Sequence, residues 1–226
     1  VLCLFAHWLL SRARADHVRW LGFVSRDARL VWTVARQIAA RSYPEIECRY
    51  LLASRQALYL PAVRELTPGD LPWLAAIAPR PTVATALARL ELTEDEIQAV
   101  WPPGSPRPSL SARLDAPEIW TAFWTALTDP AIAPIVLARA GTRRTAALCH
   151  LESLGLPAGE EAAIVDLGSL LYCQEALNKI CMGLRGPGSI RGYYLFLKSG
   201  HRLPHQSGPA TALCYEPPDL LPRSAD

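Results

Sequence analysis

Two rhythms of hydrophobic residues alternate along the chain. The opening VLCLFAHWLL and the stretch DARLVWTVARQIAARS place apolar residues three or four positions apart, in the second case at Leu30, Val31, Val34 and Ile38, and this spacing predicts helices. HVRWLGFVS, AAIVDLG and GSIRGYYLFL are instead short apolar runs rich in β-branched and aromatic residues, which predicts buried strands; ECRYLLAS at 47–54 repeats that signal. RQALYLPAV follows as a helix that Pro61 ends early. From about 65 to 130 the pattern breaks into helical pieces cut by prolines. TEDEIQAVW has Thr93 and Glu96 in a capping-box pattern, DAPEIWTAFWTALTD has Asp115 as the expected N-cap, and PPGSPRPS between them reads as a loop. A long helical segment, PAIAPIVLARAGTRRTAALCHLESLGLP, stops near Gly155 and Pro157 and carries Arg139, Arg143 and Arg144 on an expected solvated face. LLYCQEALNKICMGL is a helix between the last two strands.

Strands alternating with helices define the expected fold class: α/β, a Rossmann-like, doubly wound and mostly parallel sheet, because parallel neighbours need crossovers and crossovers are usually helical. The expected organisation is a single α/β domain over 1–200 with a helical insertion at about 65–130, followed by an irregular Pro-rich tail over 201–226.

Bulk numbers narrow the function classes. With 226 residues, half of them hydrophobic, the chain has material for a full core. The balance of 23 basic to 21 acidic residues is too even for a partner recognised by bulk charge, which argues against nucleic acid. Lysine stands only at Lys179 and Lys198, so the positive charge is almost all arginine, suited to bidentate contacts with phosphate or carboxylate and equally what a GC-rich genome supplies. The six cysteines are irregularly spaced without a C-x-x-C, which removes a zinc ribbon or thioredoxin motif and leads us to expect mostly buried, reduced thiols in a cytoplasmic protein. The apolar opening lacks a basic flank and a cleavage site and is far too short to span a bilayer. The missing initial Met points to an excised piece or a processed form with a segment upstream.

Candidate chemistry gathers at the strand ends, where open parallel sheets bind their ligands. Ser25, Arg26 and Asp27 end the first strand, Ser54 and Arg55 the second, and Asp166 with Gly168 the third. Helix N-termini at that rim offer free N–H groups and a positive dipole end, and two arginines add planar donors, a setting for a phosphate or nucleotide. The two aspartates suit ribose hydroxyls, a Mg²⁺ ion, or pairing with the arginines. Asp and Ser are also ordinary N-caps, and an Arg–Asp pair can simply fix a loop, so both readings stand at this stage. Weaker signals are His201 and His205, which flank RLP without a third metal ligand, and Gly183, Gly186 and Gly188, which read as a turn. Cys173 and the pair Trp120 and Trp124 read as core.

WLGFVSRDARLVWTVARQI, RYLLASRQALYLPAV and AIVDLGSLLYCQEALNKI with IRGYYLFL resemble a bacterial module that accompanies haloacid dehalogenase-like (HAD) hydrolase segments and glycosyltransferases in surface-polysaccharide proteins. Its pattern is a strand ending S-R-D-G, a second ending Y-x-x-S-R, and a third reading V-D-I-G-W-x-G-T-x-Q before a helix and G-Y-Y. Ser25, Arg26, Asp27, Ser54, Arg55, Asp166, Gly168 and Gln174 fall on it. The resemblance implies a domain that binds a phosphorylated or nucleotide-linked sugar beside a neighbouring hydrolase or glycosyltransferase domain. Asp27 and Asp166 are its expected catalytic residues, with Mg²⁺ as the expected cofactor. Arg26 and Arg55 would hold the anion, and Ser25, Ser54, Gly168 and Gln174 would orient the ligand. Two departures bear on activity: Ala28 replaces the glycine after S-R-D, and SLLY at 169–172 replaces the W-x-G-T segment. The chain also lacks the D-x-D that a haloacid dehalogenase-like nucleophile requires. The alternatives are a phosphoribosyltransferase-like transferase, whose strand, acid and helix AIVDLGSLLYCQEAL is similar to, and a non-catalytic scaffold with a degenerate site.

Overall fold

The computed structural model describes residues 1–75, 80–156, 161–168, 171–184, 190–198 and 208–216, the side chains of Arg55, Lys198 and Glu216 excepted. In chain order the described elements are α1 (Leu2–Ala15), β1 (Trp20–Val24), α2 (Arg29–Ser42) and β2 (Glu47–Leu51), then the helical series α3 (Arg55–Ala62), α4 (Pro72–Ala75), α5 (Val83–Leu90), α6 (Glu94–Ala99), α7 (Pro117–Leu127) and α8 (Ala133–Ser153). β3 (Ala162–Asp166), α9 (Tyr172–Cys181), β4 (Arg191–Lys198) and β5 (Ala210–Glu216) complete them. Two compact units result, Val1–Arg55 with Leu148–Asp226, and Gln56–Ala147. The second takes in the stretch expected as a helical insertion and reaches past it at both ends.

The first unit is α/β with a Rossmann-like sheet: five strands in the order β2-β1-β3-β4-β5, every neighbouring pair parallel. Alternation along each strand sorts its residues between two helical layers. Leu21 and Phe23 of β1, Ala163 and Val165 of β3 and Tyr193 of β4 form one apolar layer with Phe5, Leu9 and Leu10 of α1 and Val31 and Ala35 of α2. The opposite parity places Trp20, Gly22 and Val24 beside Ala162, Ile164, Gly192 and Tyr194. Two glycines matter here because of what lies over them. A Cβ on Gly22 would meet the Trp20 indole and Leu51, and one on Gly192 would run into Gln174 and the Tyr194 ring. Trp20 also donates from Nε1 to the Leu154 carbonyl at 3.1 Å.

The expectation of an irregular tail fails at 210–216. ATALCYE forms β5, parallel to β4 with Tyr193 beside Thr211 and Phe196 beside Cys214. The signal was seven residues of small, β-branched and aromatic character with one terminal charge, inside a Pro-rich context that hid it. His201, His205, Gly186 and Gly188 lie outside the described residues. None of the described helices is long and apolar enough to cross a membrane.

Among the described residues the second unit is helical apart from one isolated antiparallel bridge between Thr82 and Arg113, and its core includes Trp73, Leu74, Phe123, Leu127 and Val136. Tyr59 and Trp73 stack in it at 5.3 Å between ring centroids. Trp120 and Trp124 pack against this core as expected, 5.4 Å apart. The capping box at α6 forms as predicted, with Thr93 Oγ1 accepting from Glu96 N–H and Glu96 Oε2 accepting from Thr93 N–H. Asp115 does not cap α7, whose N-cap is Ala116. Its carboxylate instead accepts from Arg80 N–H and from Arg113 Nε at 2.7 Å, so a stronger charged donor took it.

The arginines of α8 are not a plain solvated face. Arg139 grips Glu96 with both terminal nitrogens, at 3.0 and 2.8 Å, and also donates to the Glu91 carbonyl. Arg143 pairs with Glu91 at 2.7 Å, and Arg144 donates to the Pro61 and Val63 carbonyls. Arg139 holds the Glu96 carboxyl down at about 2, well below the usual range, and the Thr93 N–H helps. The cysteines also divide against expectation. All six are free thiols; Cys173 and Cys181 are buried, but Cys3, Cys149 and Cys214 are exposed. Burial pushes the Cys48 thiol up to about 12.

Candidate functional site

In the strand order 2-1-3-4-5 the direction of winding reverses between β1 and β3, the switch point at whose strand carboxyl ends open α/β sheets place their ligands. β1 feeds α2, which packs on the α1 side of the sheet, while β3 feeds α9, whose Gln174 lies over Gly192 on the other side. The register pairs Phe23 with Val165, so one step further along each strand come Val24 and Asp166, and then Ser25 and Leu167. Ser25, Arg26 and Asp27 therefore leave the sheet beside Asp166 and Gly168, as the two lips of the switch point.

A third segment is tied to the first lip. Ser25 N–H donates to the Leu51 carbonyl at 3.0 Å and Ser25 Oγ to the Ala53 carbonyl at 3.1 Å, which fastens the loop after β1 to the loop after β2. Ser25 thus works as a loop tie. Ser54 is exposed at the end of that second loop, and Arg55 opens α3, with its side chain outside the described atoms.

Charge at the first lip is open to solvent. The Arg26 side chain is 95% exposed and Asp27 64%, with 3.9 Å between Nε and Oδ1, a loose pair that screening reduces to little energy. Ala28 behind them is buried, with φ −77° and ψ 1°, a conformation that any residue adopts, so alanine fits where the resembled pattern has glycine. α2 begins there without a side-chain cap and without an acid in its first turn, while Arg26 and Arg29 flank it. A bare, positive helix end between arginines favours an anion electrostatically.

The second lip is built differently. Asp166 is half-buried and its Oδ1 accepts the Gly168 N–H at 3.3 Å, which turns the loop back toward the carboxylate. Tyr194 sits beside it in the ladder. Burial first, then the nearby Asp166 and Cys173, raise the Tyr194 phenol well above its ordinary value, so it stays protonated and donates. Its hydroxyl bonds Gln174 Oε1 at 2.9 Å.

Gln174 is placed apart from the rim. It is wholly buried, and both its amide protons are spent, on the carbonyls of Ile190 at 3.0 Å and Pro209 at 3.1 Å. With Asn178, which exchanges hydrogen bonds with Ile190, it buckles α9 to the starts of β4 and β5. A polar residue on a predicted helix reads as surface or ligand; only the buried hydroxyl of Tyr194, which demands a partner inside the core, hinted at this use. Sequence reasoning missed Tyr194 itself, although G-Y-Y on a buried strand was the available signal.

Among the described residues no group of three or more His, Cys, Asp and Glu side chains comes together to hold a metal ion. No family model matches the chain, and no curated protein matches it in sequence.

Proposed function

We propose that the switch-point rim of the α/β unit binds a phosphorylated or nucleotide-linked sugar. The observation that carries this reading is the adjacency of two differently equipped lips on neighbouring strands: an exposed arginine and a bare helix end on one side, a half-buried carboxylate on the other. An anionic phosphate fits the first and sugar hydroxyls fit the second. Arg26 is the anion donor, with Arg55 on the adjoining segment as the second. Asp166 takes hydroxyls, or with Asp27 supports a Mg²⁺ ion that the ligand's phosphates and water complete, the manner in which Mg²⁺ is usually held. Ser25 shapes the rim rather than touching the ligand, and Gln174 supports the sheet beneath it. The family resemblance in the first two strand ends agrees with this chemistry and adds the setting of bacterial surface-polysaccharide metabolism.

A scaffold with a degenerate site would close its rim with Arg–Asp pairs or apolar fill, and the loose, exposed Arg26–Asp27 pair at 3.9 Å supports the open alternative.

The test is a thermal-shift screen of the protein against nucleotides, nucleotide sugars and phosphosugars, with and without Mg²⁺, repeated on Asp166→Asn. A ligand that binds only the folded state raises the melting temperature. Asparagine keeps an acceptor for Gly168 N–H and removes the charge, so a shift in the wild type that shrinks in the variant supports the proposal. No shift from any compound refutes it.

A further inference from the structure

A parallel strand sends the N–H and C=O of one residue to the same side and those of the next residue to the other. Glu47 N–H bonds the Arg19 carbonyl at 2.7 Å and Leu51 accepts from Ser25 N–H, so residues 47, 49 and 51 of β2 face β1. Cys48 and Tyr50 therefore point their backbone groups out of the sheet. At the other end Gly192 N–H bonds the Pro209 carbonyl at 2.8 Å, so residues 209, 211 and 213 face β4, and Ala210, Ala212 and Cys214 point outward. β2 and β5 are the outermost of the described strands. One outward group on each carries a side-chain partner of matching polarity. Trp32 of α2 donates from Nε1 to the Cys48 carbonyl at 3.2 Å, and the Tyr215 hydroxyl accepts the Ala212 N–H at 3.0 Å.

We infer that these two aromatic side chains close the sheet's edges to strand addition, and that removing the Tyr215 hydroxyl opens β5 to the β5 of a second copy of this chain. The occupant follows from the strand itself. Ala210–Glu216 reads ATALCYE, with one charge at its end, and a low-charge, β-prone edge pairs readily with its own copy about a twofold axis. β2 has a further deterrent in the Glu47–Arg49 ion pair, whereas the middle of β5 has none. Tyr215 is 55% exposed, so its ring is only partly packed while its hydroxyl is bonded to the strand.

Tyr215→Phe of the full chain tests this, because it removes one oxygen and keeps the ring. In dilute protein, hydrogen exchange at the Ala212 amide becomes about fivefold faster, the effect of losing one ordinary hydrogen bond. As concentration rises, sedimentation velocity shows a dimer in excess of any in the wild type, and the 210–214 amides regain protection. An unchanged Ala212 exchange rate overturns the inference, as does faster exchange with no more association than the wild type at any concentration.

Discussion

The helical unit and the rim of the α/β sheet use arginine in opposite ways. In the helical unit Arg80, Arg113, Arg139, Arg143 and Arg144 are all engaged, on carboxylates at 2.7 to 3.0 Å or on backbone carbonyls. At the rim of the α/β unit Arg26 is 95% exposed and loosely paired with its neighbour. Structural arginine in this protein is held by hydrogen bonds, and Arg26 is not held. The first group holds the helical unit together, Arg26 is left to the proposed ligand, and the contrast yields predictions in which stability and binding separate.

The largest expected effect is in the helical unit. Phe123 is fully buried, and Phe123→Ala removes a ring from a packed core at a cost of about 3–5 kcal/mol. Chemical denaturation of the variant shows the loss. A cost under about 1 kcal/mol would mean that the helical core is loosely packed and does not deserve the role given to it.

Gln174 sharpens the contrast inside the α/β unit. Gln174→Ala leaves the buried Tyr194 hydroxyl without its acceptor and takes one of two donors from each of the Ile190 and Pro209 carbonyls, so the protein loses about 2 kcal/mol of stability. If denaturation instead finds the variant as stable as the wild type while ligand affinity falls, Gln174 belongs to the site and its assignment to the sheet is wrong.

A smaller and pH-dependent effect belongs to Glu96. Its folded value of about 2 lies below its ordinary 4.5, so its pairing with Arg139 stabilises fully above pH 4.5 and is lost as pH falls toward 2. Glu96→Gln keeps the capping-box geometry and removes the charge. Because the pair is partly exposed, the variant is less stable at pH 7 by about 1 kcal/mol or less, and the two proteins converge near pH 2. Equal stability at pH 7 would show that the Arg139 grip adds nothing.

Much of the α/β unit was legible because its strands are buried on both faces and read as continuous apolar runs: HVRWLGFVS, AAIVDLG and GYYLFL became β1, β3 and β4. β5 was not, since seven residues among prolines carry too little periodicity to outweigh their surroundings. Of the site, the strand-end positions of Ser25, Arg26, Asp27 and Asp166 followed from the strands themselves. What each side chain does there depends on partners far away in sequence. Ser25 ties to Ala53 and Gln174 to Ile190 and Pro209, contacts that only the sheet order brings together. Asp115, read as a cap from local spacing, is claimed by the distant Arg80 N–H and by Arg113 two residues before it, a charged donor that outcompetes the cap.

The smallest expected effect on stability is also the most direct test of the central claim. Arg26→Ala is to be measured against the wild type by chemical denaturation and by calorimetric titration with the nucleotide sugar or phosphosugar that gives the largest thermal shift. The account predicts stability unchanged within about 0.5 kcal/mol, as for an ordinary surface substitution, and affinity about tenfold weaker, the loss of one charge-assisted hydrogen bond. Unchanged affinity, or a loss of stability in place of a loss of affinity, would contradict it.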